Sequence, residues 1–287
     1  MRAEALGGLM LALAAGSALA GSCTGPFSVG VAQPGFNDPA RAGRAVATRV
    51  HYPATVAGNG AAAISGCGFP VVAFGHGFTI ANSAYAYLAD GLASAGYIVV
   101  LPATESGISP SHLEFGRDLV FVLGAVAAAP QWAAAAGSGR AIGGHSMGGG
   151  AAVLGVSAAN PAPVLFALAP AETNPSAVSA AAAIAVPALL ITGSRDCVTP
   201  TAQNAGLIHA ALQTPGPQKL LTDITGASHC QFTTGSFTCS VGEQSCGGSA
   251  TLALADQHAQ TLALLLPWFR QVLASAPFAD GFEAPGN

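Results

Sequence analysis

The stretch AIGGHSMGGG (residues 141–150) surrounds a single serine, Ser146, with five glycines. A glycine in the interior of a strand or helix costs about 0.5–1 kcal/mol relative to alanine, so this density of glycine needs a local reason. One such reason is a sharp turn from a strand into a helix. At such a turn the neighbours of the serine must lack side chains, so that its hydroxyl is free.

The segments around this stretch alternate between short apolar runs and longer runs of helical pattern. Residues 140–146 have the composition of a buried strand, and residues 147–159 that of a helix. Because the predicted strands are almost continuously apolar, the sequence predicts an α/β fold with a mostly parallel sheet and helices on both faces. Residues 45–53 alternate more and predict a strand at an antiparallel edge. The remaining predicted strands are residues 70–77, 97–102, 163–170, 186–193 and 218–225, and the remaining helices are residues 82–95, 111–129 and 251–274.

The two ends of the chain differ from the rest. Residues 1–20 combine a positive charge at Arg2, an apolar stretch and the small-x-small sequence Ala18-Leu19-Ala20, which predicts a secretory signal peptide. Residues 277–287 form a polar tail, so we expect one domain over residues 21–276. The signal peptide predicts that this domain is extracellular or periplasmic.

Only residues 171–186 separate two predicted strands where a lid domain would be inserted. We therefore expect an open cleft without a lid.

Composition excludes several classes of protein. Charged residues make up 8% of the 287 residues and the net charge is −4, without the Lys/Arg cluster that binding to nucleic acid requires. The mean hydropathy is +0.52. A positive value is also found in membrane proteins, but the longest apolar run after the predicted signal peptide, residues 177–191, is interrupted by Pro187. We expect no integral membrane segment in the mature chain, and a monomer.

The six cysteines are an even number, which favours three disulfides in an exported protein. The rival interpretation is a metal site built from His229, Cys230, Cys239 and Cys246. Because no C-x-x-C pair is present, the sequence favours disulfides and we expect no metal.

Gly144-His145-Ser146-Met147-Gly148 fits the pattern G-x-S-x-G between a predicted strand and a predicted helix. This is the context of a nucleophile elbow, in which a serine hydroxyl stands at a strained turn. The backbone N–H of Met147 would lie at the start of the helix, where it can stabilise an oxyanion.

A serine nucleophile needs a histidine base and an acid, in the chain order Ser, acid, His. His229 follows a predicted strand and a short loop. His209 lies in a stretch of helical pattern, and His258 lies in the predicted helix of residues 251–274. Asp196 follows another predicted strand and is the favoured acid. Glu172 is the alternative acid, because it follows an earlier strand. Asp223 lies inside the strand just before His229, too near in sequence to oppose it.

The second oxyanion donor is expected in the loop after the strand that begins at Pro70. There the sequence Gly75-His76-Gly77-Phe78 offers the N–H of Phe78, and Gly77 permits close approach. The ring of Phe78 is a candidate wall of the substrate cleft, and the alternative is a core aromatic.

Over residues 38–269 the sequence resembles the α/β-hydrolases, in particular the branch of chlorophyllases and cutinase-like bacterial polyester hydrolases. The resemblance implies Ser146 as nucleophile, Asp196 and His229 as the other triad members, and Phe78 and Met147 as oxyanion donors. It rests on DPARAGRAVATRVHYPA, FPVVAFGHGFTIANSAYAYLADGLASAGYIVVLP, GGHSMGGGAA, PALLITGSRDCVTP and GASHCQF.

The chain departs from the polyester hydrolases at one position. Those proteins carry a tryptophan of the cleft just after the strand matched by LFALAP, where this chain has Ala171 or Glu172. Glu172 would make the rim of the substrate site more polar. An aromatic clamp for a terephthalate-like ring is therefore in doubt.

These residues imply a two-step acyl transfer that needs no cofactor. The expected function is a serine carboxylic ester hydrolase for short to medium acyl esters, including cutin-like or synthetic polyesters. A chlorophyllase-like hydrolase of a bulky ester is an alternative, and a non-catalytic binding protein with the same fold is another. No extra domain for peptide selection is recognisable, which argues against a peptidase.

Cysteines directly follow both the acid and the base. If Asp196 and His229 are hydrogen-bonded, Cys197 and Cys230 could come within the Cα separation of a disulfide, about 4.4–6.8 Å. We therefore predict a Cys197–Cys230 bond, with Cys239–Cys246 and Cys23–Cys67 as the remaining pairs, out of fifteen possible arrangements.

Overall fold

The computed structural model describes residues 23–273, which form a mixed ten-stranded sheet covered by helices. The predicted signal peptide and C-terminal tail lie outside the described residues. In chain order the strands are β1 (Ser28–Ala32), β2 (Gly35–Asp38), β3 (Arg44–Ala54), β4 (Gly58–Asn59), β5 (Phe69–Gly75), β6 (Ile98–Pro102), β7 (Ala136–Gly144), β8 (Val164–Leu168), β9 (Ala188–Gly193) and β10 (Lys219–Ile224).

The predicted parallel sheet is confirmed. The spatial order of the strands is β10-β9-β8-β7-β5-β6-β3-β1-β4, with β2 paired to β3. From β10 to β6 each neighbouring pair is parallel, whereas β3 runs antiparallel to both β6 and β1. The prediction of an edge strand at residues 45–53 was wrong in its position. β3 is antiparallel but internal, because β1 pairs with its outer side and β4 pairs with β1.

The helices cover both faces of the sheet. The side chains of β5 alternate between two cores: Val71 and Ala73 join the core under α2, α3, α4 and α5, and Val72 and Phe74 join the core under α1 and α7. This alternation follows from the two-residue period of a strand. The helices are α1 (Ala86–Ser94), α2 (His112–Ala128), α3 (Met147–Ala158), α4 (Ala177–Ala181), α5 (Ala205–Ala211), α6 (Phe237–Ser245) and α7 (Leu254–Val272).

The helix boundaries differ from the prediction in two places. Residues 82–85 form a 3₁₀ turn before α1, and α7 begins at Leu254 rather than at residue 251. Between β8 and β9 there is only the five-residue α4, whose N-cap is Ser176. α6 was not predicted. Among the described helices none is both long and apolar enough to cross a bilayer.

Candidate active site

The turn between β7 and α3 has the geometry of a nucleophile elbow. Ser146 has φ 54° and ψ −121°, which is a strained conformation for a residue with a side chain. Its backbone N–H donates to the carbonyl O of Leu168, at the end of β8, at 3.0 Å. The neighbouring strand thus holds the turn, and 9% of the Ser146 surface stays exposed.

Two of the glycines around Ser146 are required by close backbone contact. A Cβ on Gly148 would collide with the carbonyl group of Gly75, at the end of β5. A Cβ on Gly144 would collide with the backbone of Gly148. The glycines therefore let α3 start directly against two strands.

Asp196 and His229 meet at the same edge of the sheet. Asp196 follows β9 and His229 follows β10, and these two strands are parallel neighbours. The Nδ1 atom of His229 lies 2.8 Å from Oδ2 of Asp196. Both residues are buried, with 2% of His229 and 8% of Asp196 exposed. The pairing expected from the sequence is present.

Thr199 completes the surroundings of the Asp196 carboxylate, and sequence reasoning missed it. The N–H groups of Val198 and Thr199 both donate to Oδ1 of Asp196 at 2.8 Å. The Thr199 hydroxyl lies 2.9 Å from Oδ2 of Asp196 and 3.0 Å from Nδ1 of His229. An aspartate that accepts from the N–H groups two and three residues later is a local turn motif, so the sequence D-C-V-T contained a signal.

The ring of His145, next to Ser146 in the chain, lies against the ring of His229. His145 directly precedes Ser146, and its ring centroid lies 4.5 Å from that of His229. The His229 imidazole is therefore beside the elbow. Sequence reasoning gave His145 no role.

The loop after β5 lies next to the elbow because β5 and β7 are paired. The N–H of His145 donates to the carbonyl O of Gly75 at 3.0 Å. Phe78, in this loop, is 44% exposed, so its ring belongs to the surface rather than to the core. Met147 is the first residue of α3, and N–H groups in a first helical turn have no acceptor within the helix.

The alternative acid, Glu172, does not meet His229. Its side chain is exposed, and Oε2 accepts from the N–H of Val178 at 2.9 Å, near the start of α4. Its backbone N–H donates to Oδ1 of Asn204 at 2.9 Å.

The other residues that sequence reasoning set aside also lie away from Asp196. Oδ1 of Asp223 accepts from the hydroxyl of Thr192 at 2.9 Å. His209 is in α5, and His258 is in α7, stacked on Tyr87 with 3.4 Å between ring centroids.

Hydrogen bonding keeps Asp196 ionised. Burial acts to raise the pKa of Asp196, but hydrogen bonds from His229 and Thr199 and the charge of His229 hold it below its ordinary value of 3.8. At neutral pH the site therefore holds a carboxylate that can orient His229 and stabilise its charged form.

Burial also keeps His145 neutral, which predicts a stability that depends on pH. The pKa of His145 is lowered well below 6.5, first by burial and then by the charge of His229. Because the unfolded chain then takes up the proton more readily, stability is lost as the pH falls below about 6.5. In urea titrations we expect this group to lower the free energy of unfolding by up to about 2 kcal/mol between pH 6.5 and pH 5. The variant His145→Gln should reduce that slope; an equal slope in both proteins would contradict the assignment.

The predicted pairing of the cysteines was right for one bond and wrong for two. The Cys23–Cys67 bond is confirmed, but Cys197 pairs with Cys246 and Cys230 pairs with Cys239. Cys239 lies in α6 and Cys246 caps its end, so they are about 10 Å apart along the helix axis, too far for a disulfide.

Because Cys230, Cys239 and Cys246 are all in disulfides, the alternative metal site is wrong. Within residues 23–273 no group of three or more His, Cys, Asp or Glu side chains could hold a metal.

These two disulfides attach both loops of the site to α6. Cys197 follows Asp196 and Cys230 follows His229, with Cα–Cα separations of 5.9 and 5.7 Å to their partners. A third contact comes from Glu243 in α6, whose Oε1 accepts from the N–H of Cys230 at 3.3 Å. One short helix is thus attached to both the loop of Asp196 and the loop of His229.

Removing the Cys197–Cys246 bond should therefore lower activity as well as stability. The double variant Cys197→Ser/Cys246→Ser opens a loop of 49 residues, which costs about 4 kcal/mol in the entropic account. We expect the melting temperature to fall by roughly 10 °C and kcat to fall several-fold well below that temperature.

The matched control is Cys23→Ser/Cys67→Ser, which opens a loop of similar length, 44 residues, in another part of the chain. This control should lose similar stability and keep its kcat, measured at the same temperature. Equal losses of kcat in the two variants would show that α6 does not position the site.

The comparisons with known proteins identify the family and the fold. A family model described as PETase, PET hydrolase-like, matches residues 14–268. Among solved structures, a ferulic acid esterase from Streptomyces cinnamoneus superimposes with a TM-score of 0.63 at 16% identity, over 90% of this chain and 94% of that chain. This likeness supports the α/β-hydrolase fold expected from the sequence. No curated protein matches the chain. The chain belongs to the PET hydrolase-like family and is a carboxylic ester hydrolase.

Proposed function

We propose that the chain hydrolyses carboxylic esters through an acyl-enzyme formed on Ser146, with His229 as base and Asp196 as the group that orients the base. The observation that carries this proposal is the 2.8 Å contact between His229 Nδ1 and Asp196 Oδ2 beside a strained serine. These are the three roles of a serine triad, in the chain order Ser, Asp, His.

In the proposed reaction His229 takes the proton of the Ser146 hydroxyl as its oxygen attacks the ester carbonyl. The tetrahedral oxyanion accepts hydrogen bonds from the N–H groups of Phe78 and Met147. His229 then gives the proton to the leaving alcohol. A water molecule then attacks the carbonyl of the acyl-enzyme, with His229 again as base, and releases the carboxylic acid product. Asp196 holds Nδ1 of His229 protonated throughout, so that Nε2 is the atom that accepts the proton.

For the substrate we propose short to medium acyl esters and polyesters. Membership of the PET hydrolase-like family supports this class. The segment between β8 and β9 contains only the five-residue α4, which leaves room for bulky esters. Phe78 and Glu172, both exposed, are the proposed rim residues of the substrate site.

We also propose that the protein is exported. Three disulfides support an oxidising compartment.

The proposal is tested by labelling and by a panel of esters. A fluorophosphonate should attach to Ser146, as located by mass spectrometry of the digest, and should stop hydrolysis in proportion to labelling. p-Nitrophenyl esters from acetate to palmitate, methyl ferulate and a polyester film then define the acyl group. A label on another residue, or full activity after labelling, would overturn the mechanism. A preference for only one bulky ester would favour the chlorophyllase-like alternative.

A further inference from the structure

A fully buried tyrosine hydroxyl joins the loop before Phe78 to the turn before Met147, the two proposed oxyanion donors. Tyr85, in the 3₁₀ turn before α1, has no exposed surface. Its Oη accepts from the N–H of Gly77 at 2.9 Å and lies 2.9 Å from Nδ1 of His145. Gly77 immediately precedes Phe78, and His145 immediately precedes Ser146. The proposed mechanism has no role for Tyr85.

The direction of these bonds follows from which buried hydrogens need an acceptor. The N–H of Gly77 can only donate, so Oη of Tyr85 accepts there. The hydroxyl hydrogen of Tyr85, which is fully buried, also needs an acceptor, and Nδ1 of His145 lies within reach at 2.9 Å. With the hydrogen placed there, Nδ1 of His145 is unprotonated. A neutral His145 then carries its hydrogen on Nε2, a buried atom without a hydrogen-bond partner in the described part of the chain. The opposite tautomer would leave both the Tyr85 hydroxyl hydrogen and Nε2 without one. Burial raises the pKa of Tyr85 and lowers that of His145, so both groups stay in the protonation states that this arrangement needs.

Gly77 is held on both sides of its backbone. Besides the bond from its N–H to Tyr85, its carbonyl O accepts from the N–H of Ile80 at 3.0 Å. A side chain at this position would contact Nδ1 of His145 at 3.1 Å and Oη of Tyr85 at 3.2 Å. Little room is therefore left for the loop to shift relative to His145.

We propose that Tyr85 is a positioning residue for ester hydrolysis, whose hydroxyl holds the oxyanion loop, at Gly77, in register with the nucleophile elbow, at His145. This inference rests on the proposed function. Two N–H groups from different loops form an oxyanion hole only if their separation is fixed, because the donors must be about 2.7–3.1 Å from the developing charge. The Tyr85 hydroxyl sets that separation.

The variant Tyr85→Phe tests this role. The ring would keep its packing against Phe74, at 5.1 Å between centroids, while Gly77 and His145 each lose a buried hydrogen-bond partner. Losing one oxyanion donor costs about 10²–10³ in kcat, so misplacing a donor should cost about 10- to 100-fold. KM should change by less than about threefold, because the carbonyl of the bound ester, before it reacts, forms weaker hydrogen bonds with the two N–H donors than the oxyanion does. The affinity for an aryl boronic acid, which forms a tetrahedral adduct with the serine, should fall with kcat/KM.

The matched control is Tyr52→Phe. Tyr52 is also a buried tyrosine, and its hydroxyl donates to the carbonyl O of Ala61 at 2.8 Å, within the antiparallel part of the fold. This variant should lose stability without losing kcat. If Tyr85→Phe is folded, labels fully with fluorophosphonate and keeps the wild-type kcat, the proposal is wrong.

The tautomer of His145 gives a second measurement, on the unmodified protein. In protein labelled with ¹⁵N-histidine, NMR should show His145 with Nδ1 unprotonated and hydrogen on Nε2, with His145→Gln used to assign the signal. A proton on Nδ1 of His145 would overturn the proposal even if Tyr85→Phe failed to fold. The proposed function, through Ser146, and the positioning role of Tyr85 can also fail separately. If Ser146 were not the nucleophile, the wild-type protein would not label there, whereas the tautomer would be unaffected.

Discussion

Ser146→Ala is expected to lower kcat for ester hydrolysis by about five to six orders of magnitude. In the proposed mechanism the oxygen of the Ser146 hydroxyl attacks the ester, and no other serine in the described residues lies at a turn of this geometry. A residual acceleration of about 10³–10⁴-fold over water should remain, because the oxyanion donors and the cleft are unchanged. The measurement is the hydrolysis of p-nitrophenyl acetate and butyrate by the purified variant.

The fold should survive this substitution. The backbone of Ser146 donates to Leu168 whatever the side chain is, and alanine at φ 54° carries the same kind of strain as serine. The matched control is Ser157→Ala in α3, the helix that begins directly after Ser146, where the hydroxyl donates only to the carbonyl O of Leu154 at 2.9 Å. That control should keep its full rate. If Ser146→Ala kept more than a few per cent of the wild-type rate, Ser146 would not be the nucleophile.

The features that were predicted correctly depend on local sequence. The pattern G-x-S-x-G between an apolar run and a helical run requires one backbone arrangement, because only glycine fits where α3 meets β5 and β7. Likewise the apolar runs that end before Asp196 and His229 are parallel strands, so both residues necessarily come to one edge of the sheet. In each case a short segment contains the whole physical reason.

The features that were missed depend on distant residues. α6 has the sequence FTCSVGEQS, with few apolar residues and no helical apolar stripe, and two disulfides attach it to the loops of Asp196 and His229. Without that helix, the pairing of the cysteines could not be derived. The contact between Tyr85 and His145 joins residues 60 positions apart, and no local pattern indicates it. Sequence reasoning thus proposed the reacting groups but not the groups that contact them.

Asp196→Asn should have the second largest effect, lowering kcat by about 10⁴-fold with little change in the fold. The two backbone N–H groups of Val198 and Thr199 both donate to Oδ1, so the amide oxygen of the asparagine must stay at that position. The amide NH₂ then takes the place of Oδ2, facing Nδ1 of His229. Because NH₂ can only donate, Nδ1 has to accept, and the hydrogen of the neutral imidazole moves to Nε2. That nitrogen can no longer take the proton from Ser146.

The comparison that decides the identity of the acid is Glu172→Gln. Its carboxylate accepts a hydrogen bond from Val178 and is exposed, so an amide there should change kcat by less than about threefold. Both variants should be assayed on the same soluble ester, with His229 observed by NMR to read its tautomer. If Glu172→Gln proved the more damaging change, the role of the acid would move to Glu172. If Asp196→Asn lost activity while Nδ1 of His229 stayed protonated, Asp196 would act through its charge rather than by fixing the tautomer. The fixed acceptor role of Oδ1 argues for the tautomer, since it leaves the asparagine only one orientation.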